Sequence, residues 1–248
     1  MHILILASGY PTEYSVNQGI FFRDQAESLA RKKENKVGVI ATVPVSIKSV
    51  LKKKIWSFGL VKSEQNNVRT AVYKFLNIPK VHRYRMLKSR KSGMKVIRKY
   101  IQEFGKPDLI HVHGFQTGLL AIEAKKVWDI RYVITEHSTK FIDDIVAPGQ
   151  ESYAKAVFEQ ADVAIAVSIK FAELMTKRYG KEFKYIPNVV DTDVFTGNPD
   201  LKQNKAFTFF NAAGFVIEKN HPMLLEAFSK VLVSYPDARL RLAGGGPD

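Results

Sequence analysis

The stretch 206-AFTFFNAAGFVIEKNHPMLLEAFSKVLVSYPDARLRLAGGGPD-248 decides how the chain is organised. Residues 206–213 form a short apolar, β-rich run, 222–235 carry apolar side chains at helical spacing, and 238–243 alternate apolar and basic residues before Gly244-Gly245-Gly246-Pro247-Asp248. This is one β-α-β unit. A doubly wound nucleotide-binding domain needs about five or six strands, so two strands are the opening of such a domain, and the chain is expected to be a truncated form of a longer protein.

Upstream, the same alternation of strand and helix runs several times over. Strands are predicted over 2–7, 37–43, 68–75, 109–112, 132–135, 163–167 and 184–186, with helices over 20–31, 84–104, 116–128, 151–160 and 169–179. Several of the strands are continuous apolar runs, as strands covered on both faces should be. The pattern predicts a parallel sheet with helices on both faces. Ligands of such sheets bind outside the carboxyl ends of the strands, which singles out 8–19, His113-Gly114, Glu136-His137-Ser138 and Ser168. Residues 187–199 (PNVVDTDVFTGNP) have the composition of a linker. The expected domains are therefore 1–197 and 198–248.

Composition narrows the function classes. At 248 residues with 46% hydrophobic residues the chain can bury a core, and with no cysteine it has neither disulfides nor thiolate chemistry. The apolar run at Ile3 lacks a basic leader and is too short for a signal core, and no run approaches the roughly 20 residues that cross a bilayer. The net charge of +14 is concentrated: 46–100 holds sixteen Lys or Arg and one acid, Glu64, while the remainder holds 22 bases and 23 acids. Such a segment, with Lys52-Lys53-Lys54 beside Trp56 and Phe58, suits a solvated helix face or an anionic membrane surface, where each base contributes about 1 kcal/mol. Phosphates of nucleic acid attract the same charge, but no nucleic-acid motif accompanies it and no nucleic-acid partner is expected.

Six motifs in order carry a resemblance: Asn17-Gln18-Gly19 feeding a helix, 108-DLIHVH-113, 135-TEHS-138, 186-IPNVVD-191, 218-EKN-220 ahead of a helix, and the closing 244-GGGPD-248. Together they resemble the glycosyltransferases of family 4, which have the GT-B fold of two Rossmann-like domains facing across a cleft. The resemblance implies an α/β chain: a Rossmann-like parallel sheet domain, the N-terminal half of a GT-B fold, plus the first β-α-β of a second Rossmann-like domain. It further implies transfer of a sugar from a nucleotide-sugar to a glycan or lipid-linked acceptor, with retention of configuration and with no cofactor or metal. A cytoplasmic setting, free or at the inner membrane face, is expected.

The resemblance also distributes roles. Gly19 precedes a helix start, where backbone amides bind anions, and by resemblance it approaches the donor's phosphates. His113 shares a strand face with His111 but lies at the carboxyl end, where solvent and acceptor are expected. His137 is implied to touch the donor sugar by hydrogen bonding and, with Lys219, to be catalytic. Lys219 sits ahead of Pro222 and a helix start, a good setting for a diphosphate. The family's arginine five residues before this lysine is replaced here by Gly214, so Lys219 has more of the charge to supply. Gly244 and Gly246 match the glycine-rich loop near the nucleotide, and the family's acidic donor motif falls past Asp248. Two alternatives accompany this reading. Zinc held by His113, Glu136 and His137 fits the ligand types but no helical zinc spacing; Asp191-Thr192-Asp193 has a cation-binding pattern, but its place in a linker points to loop structure without metal. The competing function is a non-catalytic acceptor-binding or membrane-docking module.

Overall fold

The computed structural model describes residues 1–248 except 55, 79–80, 147, 194–205 and 247–248. The chain forms two compact units, Met1–Val189 and Val190–Asp248. The expected boundary at 197/198 lies outside the described residues.

The first unit is organised on β1 (His2–Ala7), every residue of which is buried. Its side chains alternate between two cores, as a period of two requires. Ile3, Ile5 and Ala7 join Phe22, Ala26 and Ala30 of α1 (Ile20–Ala30) and Val50 of α2 (Ile47–Lys53). Leu4 and Leu6 join the second core, which takes in Ile97 of α3 (His82–Phe104), Leu120 of α4 (Gly118–Trp128), Val157 of α5 (Pro148–Gln160) and Phe171 of α6 (Ile169–Tyr179). Helices thus cover both faces, as the apolar strand runs imply.

The other strands are β2 (Lys36–Ser46), β3 (Gly59–Gln65), β4 (Val68–Asn77), β5 (Leu109–His113), β6 (Tyr132–Glu136), β7 (Val163–Ala166) and β8 (Phe183–Tyr185), and the sheet order is β3-β4-β2-β1-β5-β6-β7-β8. The chain winds outward from β1 through β2 to β4, then crosses back to lay β5 on the other side of β1. Ala7 pairs with Ala41 on one flank and His113 on the other. The strand order reverses at β1/β5, and ligands of open parallel sheets bind in the crevice at such a point.

Two elements depart from expectation. The sheet is parallel except for β3, which pairs antiparallel with β4 through a two-residue turn at Asn66-Asn67. Both asparagines have positive φ, 51° and 60°, the conformation that tight hairpins need and asparagine tolerates. β3 is an exposed edge strand with no apolar alternation, so periodicity does not reveal it. Helix α2 is likewise unannounced: Val50 is its buried residue, and what holds its start is the Ser46 hydroxyl accepting from the Ser49 N–H at 3.1 Å.

The second unit is the expected β-α-β: β9 (Thr208–Ala212), α7 (His221–Ser234) and β10 (Arg239–Ala243), the strands parallel. It buries little of its apolar surface: Phe210 is 67% exposed, Ile217 84% and Val233 85%. No helix among the described residues is long and apolar enough to cross a membrane.

Candidate functional site

The crevice at the switch point is built from three loops that leave adjacent parallel strands. The first follows β1 and returns at Gly19, which caps α1 in the left-handed conformation, φ 71°. A Cβ there would lie 2.4 Å from the Gly9 carbonyl oxygen, so both the dihedral and the backbone contact require glycine. The loop is tied down on its far side. Tyr14 Oη accepts from the Ser57 N–H at 2.8 Å, and Glu13 pairs with Lys74, a lysine of β4 only 3% exposed that also donates to Ser57 Oγ at 2.7 Å.

The second and third loops, after β5 and β6, are joined by one carboxylate. Glu136, 1% exposed, accepts from the Phe115 N–H through Oε2 at 2.9 Å, and from the His137 and Ser138 N–H groups through Oε1 at 2.9 and 2.8 Å. Burial pushes its carboxyl above the usual range, and the three amide donors work against that. With both oxygens committed to backbone, Glu136 does not join the imidazoles as a zinc ligand. Among the described residues no three of His, Asp or Glu form a group that holds a metal ion.

His137 emerges from this arrangement with its ring against Phe21 and Phe22, centroids 5.1 and 5.6 Å away, in the first turn of α1. Gly19 and His137 are therefore at the same end and on the same side of the sheet. Behind His137 stands His113, its Nδ1 3.0 Å from His137 Nε2; behind that stands His111, ring centroids 4.2 Å apart and its Nε2 2.8 Å from Thr135 Oγ1. The expectation that solvent reaches His113 is corrected: Phe22 and His137 cover it, and it is fully buried. His113 backs His137; His137 is the one nearer the surface.

Burial pushes His111 and His137 down to about 4, and burial together with its two histidine neighbours holds His113 well below the usual value. At neutral pH the three rings are uncharged, and His137 works as a hydrogen-bonding group, not as a cation. One proton lies between His113 Nδ1 and His137 Nε2, which leaves His113 Nε2 and His137 Nδ1 buried without a hydrogen-bond partner. An unpaired buried polar atom costs about 1–3 kcal/mol, and such atoms gather where a ligand completes the structure.

In the second unit the loops after β9 and β10 lie side by side. The Phe215 N–H donates to the Gly245 carbonyl at 3.0 Å, and a Cβ on Gly244 or Gly246 would lie 1.9 Å from the carbonyl oxygen of Ala213 or Phe215. The glycines thus permit one backbone to rest on another. Lys219 is exposed at the end of a short 3-10 turn (Ile217–Lys219), and Asn220 caps α7, its Oδ1 accepting from the Met223 N–H at 3.4 Å. Gly214 stands in the same loop, its would-be Cβ meeting only the Gly245 carbonyl at 3.9 Å. Asp191 Oδ1 accepts from the Asp193 N–H at 3.0 Å, a local turn as read from the sequence. Ser168 caps α6. Sequence reasoning did not find Phe21, Phe22 or the amide-binding role of Glu136; an aromatic pair opening α1 is the one signal that was there to read.

The sequence profile of Glycosyltransferase Family 4 matches residues 54–194, more than half of the chain, and the chain belongs to that family. Solved structures agree on the fold. The catalytic domain of starch synthase IV from Arabidopsis thaliana, bound to ADP and acarbose, superposes with a TM-score of 0.67 at 13% identity, over 100% of this chain and 69% of that one. For sucrose-phosphate synthase from Thermosynechococcus elongatus the TM-score is 0.66 at 17% identity, over 98% and 62%. HepE from Anabaena, in complex with UDP and glucose, gives 0.63 at 16% identity, over 99% and 61%. The chain therefore spans about two thirds or less of the length of these proteins. No curated protein matches it in sequence.

Replacing Glu136 with Gln leaves one acceptor oxygen for three amides and turns an NH2 toward the others. Urea unfolding of Glu136→Gln is expected to show a loss of about 1–3 kcal/mol; a loss below 0.5 kcal/mol would mean that the carboxylate does not hold the loops. The histidine stack predicts a pH dependence. Its folded pKa values lie below the unfolded value of about 6.5, so the unfolded chain binds protons that the folded one refuses, and stability present above pH 6.5 is lost as pH falls toward 4. Thermal unfolding midpoints are expected to drop between pH 7 and pH 5, reflecting a loss of stability on the order of 2 kcal/mol for each ring at pH 5. NMR signals of His111, His113 and His137 should stay unshifted over that interval, and a midpoint near 6.5 for His137 would contradict its burial.

Proposed function

We propose that this chain comprises the acceptor-side domain, and the opening of the donor-side domain, of a transferase that moves a sugar from a nucleotide-sugar to a hydroxyl of a glycan or lipid-linked acceptor. The observation that carries this reading is the neutral His137 beside the α1 start at Gly19, at the switch point, in a family 4 chain. In the reaction the acceptor oxygen bonds to the anomeric carbon, the bond from that carbon to the diphosphate breaks, and the hydroxyl proton leaves with the diphosphate or to water. Negative charge grows on the diphosphate, a charge for which Lys219 and the backbone of the Gly244–Gly246 loop are the candidate partners in the second unit, without metal; the helix start at Gly19 is the anion-binding feature of the first unit. His137 Nδ1, buried without a protein partner, is the ring atom with hydrogen-bonding capacity to spare, and His113 Nδ1 engages the other ring nitrogen. Retention of configuration is proposed on the family resemblance alone.

The apolar surface left bare on β9 and α7 supports a donor domain that is completed by further strands in a longer protein. The competing reading, a non-catalytic acceptor-binding or membrane-docking module, draws on Gly214 in place of an arginine. Calorimetric titration with nucleotide-sugars separates the two: donor binding by a longer form and not by this chain favours the transferase, and binding by neither favours the module. The proposed setting is the cytoplasmic face of a membrane. Leu51 (62% exposed) and Trp56 (67%) flank exposed Lys52, Lys53 and Lys54, an apolar and cationic pairing that suits an anionic bilayer.

In the longer form, His137→Ala and Lys219→Ala are each expected to slow transfer more than tenfold, the loss of one charge-stabilising contact; near-normal turnover in both would refute the site. Changing Lys52, Lys53 and Lys54 together to Glu should weaken sedimentation with anionic liposomes and leave the circular dichroism spectrum intact, and unchanged sedimentation would count against membrane docking.

A further inference from the structure

The loop after β1, which ends at Gly19, is fastened to a segment that the candidate site does not itself use. Thr12 and Ser15 exchange backbone hydrogen bonds at 3.1 and 3.0 Å and close a tight turn over Glu13 and Tyr14. The Tyr14 hydroxyl bonds residue 57 twice: it accepts from the Ser57 N–H at 2.8 Å and donates to the Ser57 carbonyl at 3.1 Å. Lys74 ties the same two segments again, to Glu13 and to Ser57 Oγ, with its ammonium 5.8 Å from the centre of the Tyr14 ring. At 3% exposure Lys74 needs these partners, because a buried ammonium left unpaired is costly. The turn and residue 57 are thereby held as one body. From the turn it is a short way to the crevice. The Gln18 N–H donates to the Ser15 carbonyl at 3.4 Å, Gly19 follows with no room for a Cβ against the Gly9 carbonyl, and Phe21 and Phe22 pack on the His137 ring.

Residue 57 lies between two aromatic side chains of an exposed, cationic stretch. From 47 to 58 the sequence has four lysines and no acid. All four lysines are exposed, and so are Ile47, Leu51, Trp56 and Phe58, with the last two rings edge to face at 6.4 Å. Ile47 and Leu51, four apart on α2, share a face, while Val50 holds the helix to the core. The pairing of Ser46 with Asn77 sets exposed Leu76 and Ile78 beside the start of that helix. Apolar tips among ammonium groups match an anionic bilayer, whose headgroups take the charge and whose acyl boundary takes the rings. A nucleic acid would satisfy the lysines and leave Ile47, Leu51, Leu76 and Ile78 in water.

We propose that this stretch makes the crevice sensitive to a membrane: seating Trp56 and Phe58 in an anionic bilayer fixes residue 57 and, through Tyr14 and Lys74, orders the loop that ends at Gly19. The inference rests on the membrane setting proposed above and adds its effect on the site. Such coupling is a free energy shared by two places, so it is read by measuring one while the other is occupied.

Hydrogen exchange of the 248-residue chain, followed by mass spectrometry with and without phosphatidylglycerol vesicles, tests it. The vesicles are expected to slow exchange at 47–58 and, by roughly threefold or more, at 10–18; phosphatidylcholine vesicles should do neither. Tyr14→Phe should sediment with the anionic vesicles as the parent chain does and keep the protection at 47–58, yet lose the protection at 10–18. Trp56→Ser, at an exposed position, should weaken sedimentation about fivefold and lower both protections together; this second variant keeps the test readable if the first fails to fold. Sedimentation with no slowing at 10–18, or slowing that Tyr14→Phe leaves intact, would discard the coupling and keep the membrane reading. Absence of sedimentation would discard both. Single-stranded RNA that protects 47–58 and 10–18 as well as the vesicles do would overturn the bilayer as the partner. No readout involves sugar transfer, so the outcome is separate from that of the transferase reading.

Discussion

A strand that is buried on both faces must be covered twice, and β1 sets that condition for the first unit. Ile3 and Ile5 call for helices on one side, Leu4 and Leu6 for helices on the other. The chain meets both demands by winding out through β2 and β4, then returning to continue from β5. The reversal leaves the loops after β1 and β5 facing apart, and the crevice between them is a by-product of covering the core. The crevice is furnished by a few buried polar groups. One carboxylate ties two loops together, a buried lysine ties the third to β4, and three uncharged imidazoles line up behind the opening.

The charge logic of the site follows from burial. A histidine left in water would be partly protonated near pH 6.5. Packed against Phe21 and Phe22, His137 is held neutral, and under the proposed function a neutral ring is what meets a sugar becoming positive at its anomeric carbon. Many of the exposed lysines and arginines of the first unit stand elsewhere, on α2 and α3.

Much of the architecture was legible because its strands are unusual: apolar runs such as HILILA admit few other readings. Strands with an exposed face were not. β3 carries Lys62, Glu64 and Gln65 and owes its conformation to pairing with β4, which is a tertiary fact. The candidate site was half legible. Gly19 and His137 were singled out from motif order, and the structure places both at the carboxyl end of the sheet, with Phe21 and Phe22, which follow Gly19, against the His137 ring. His113 was misread because spacing along a strand tells which face a side chain shares, not what packs over it; Phe22, on a helix ninety residues earlier, decides that. The work of Glu136 was hidden for a related reason. A carboxylate between a threonine and a histidine looks like a ligand for substrate or metal until the backbone amides that surround it are known.

The edge strand β3 has one further consequence. An open sheet ends in unpaired backbone groups, and a neighbouring molecule can dock there as an extra strand. Here the outermost row alternates Lys62 with Glu64 and joins β4 through the tight asparagine turn, while the opposite margin, β8, is only three residues long. Both borders of the sheet are thereby blunted against polymerisation. The turn at Asn66-Asn67 is a natural place to splice in a fluorophore or affinity tag, since it lies three strands from β1 and at the opposite end of the sheet from the histidines.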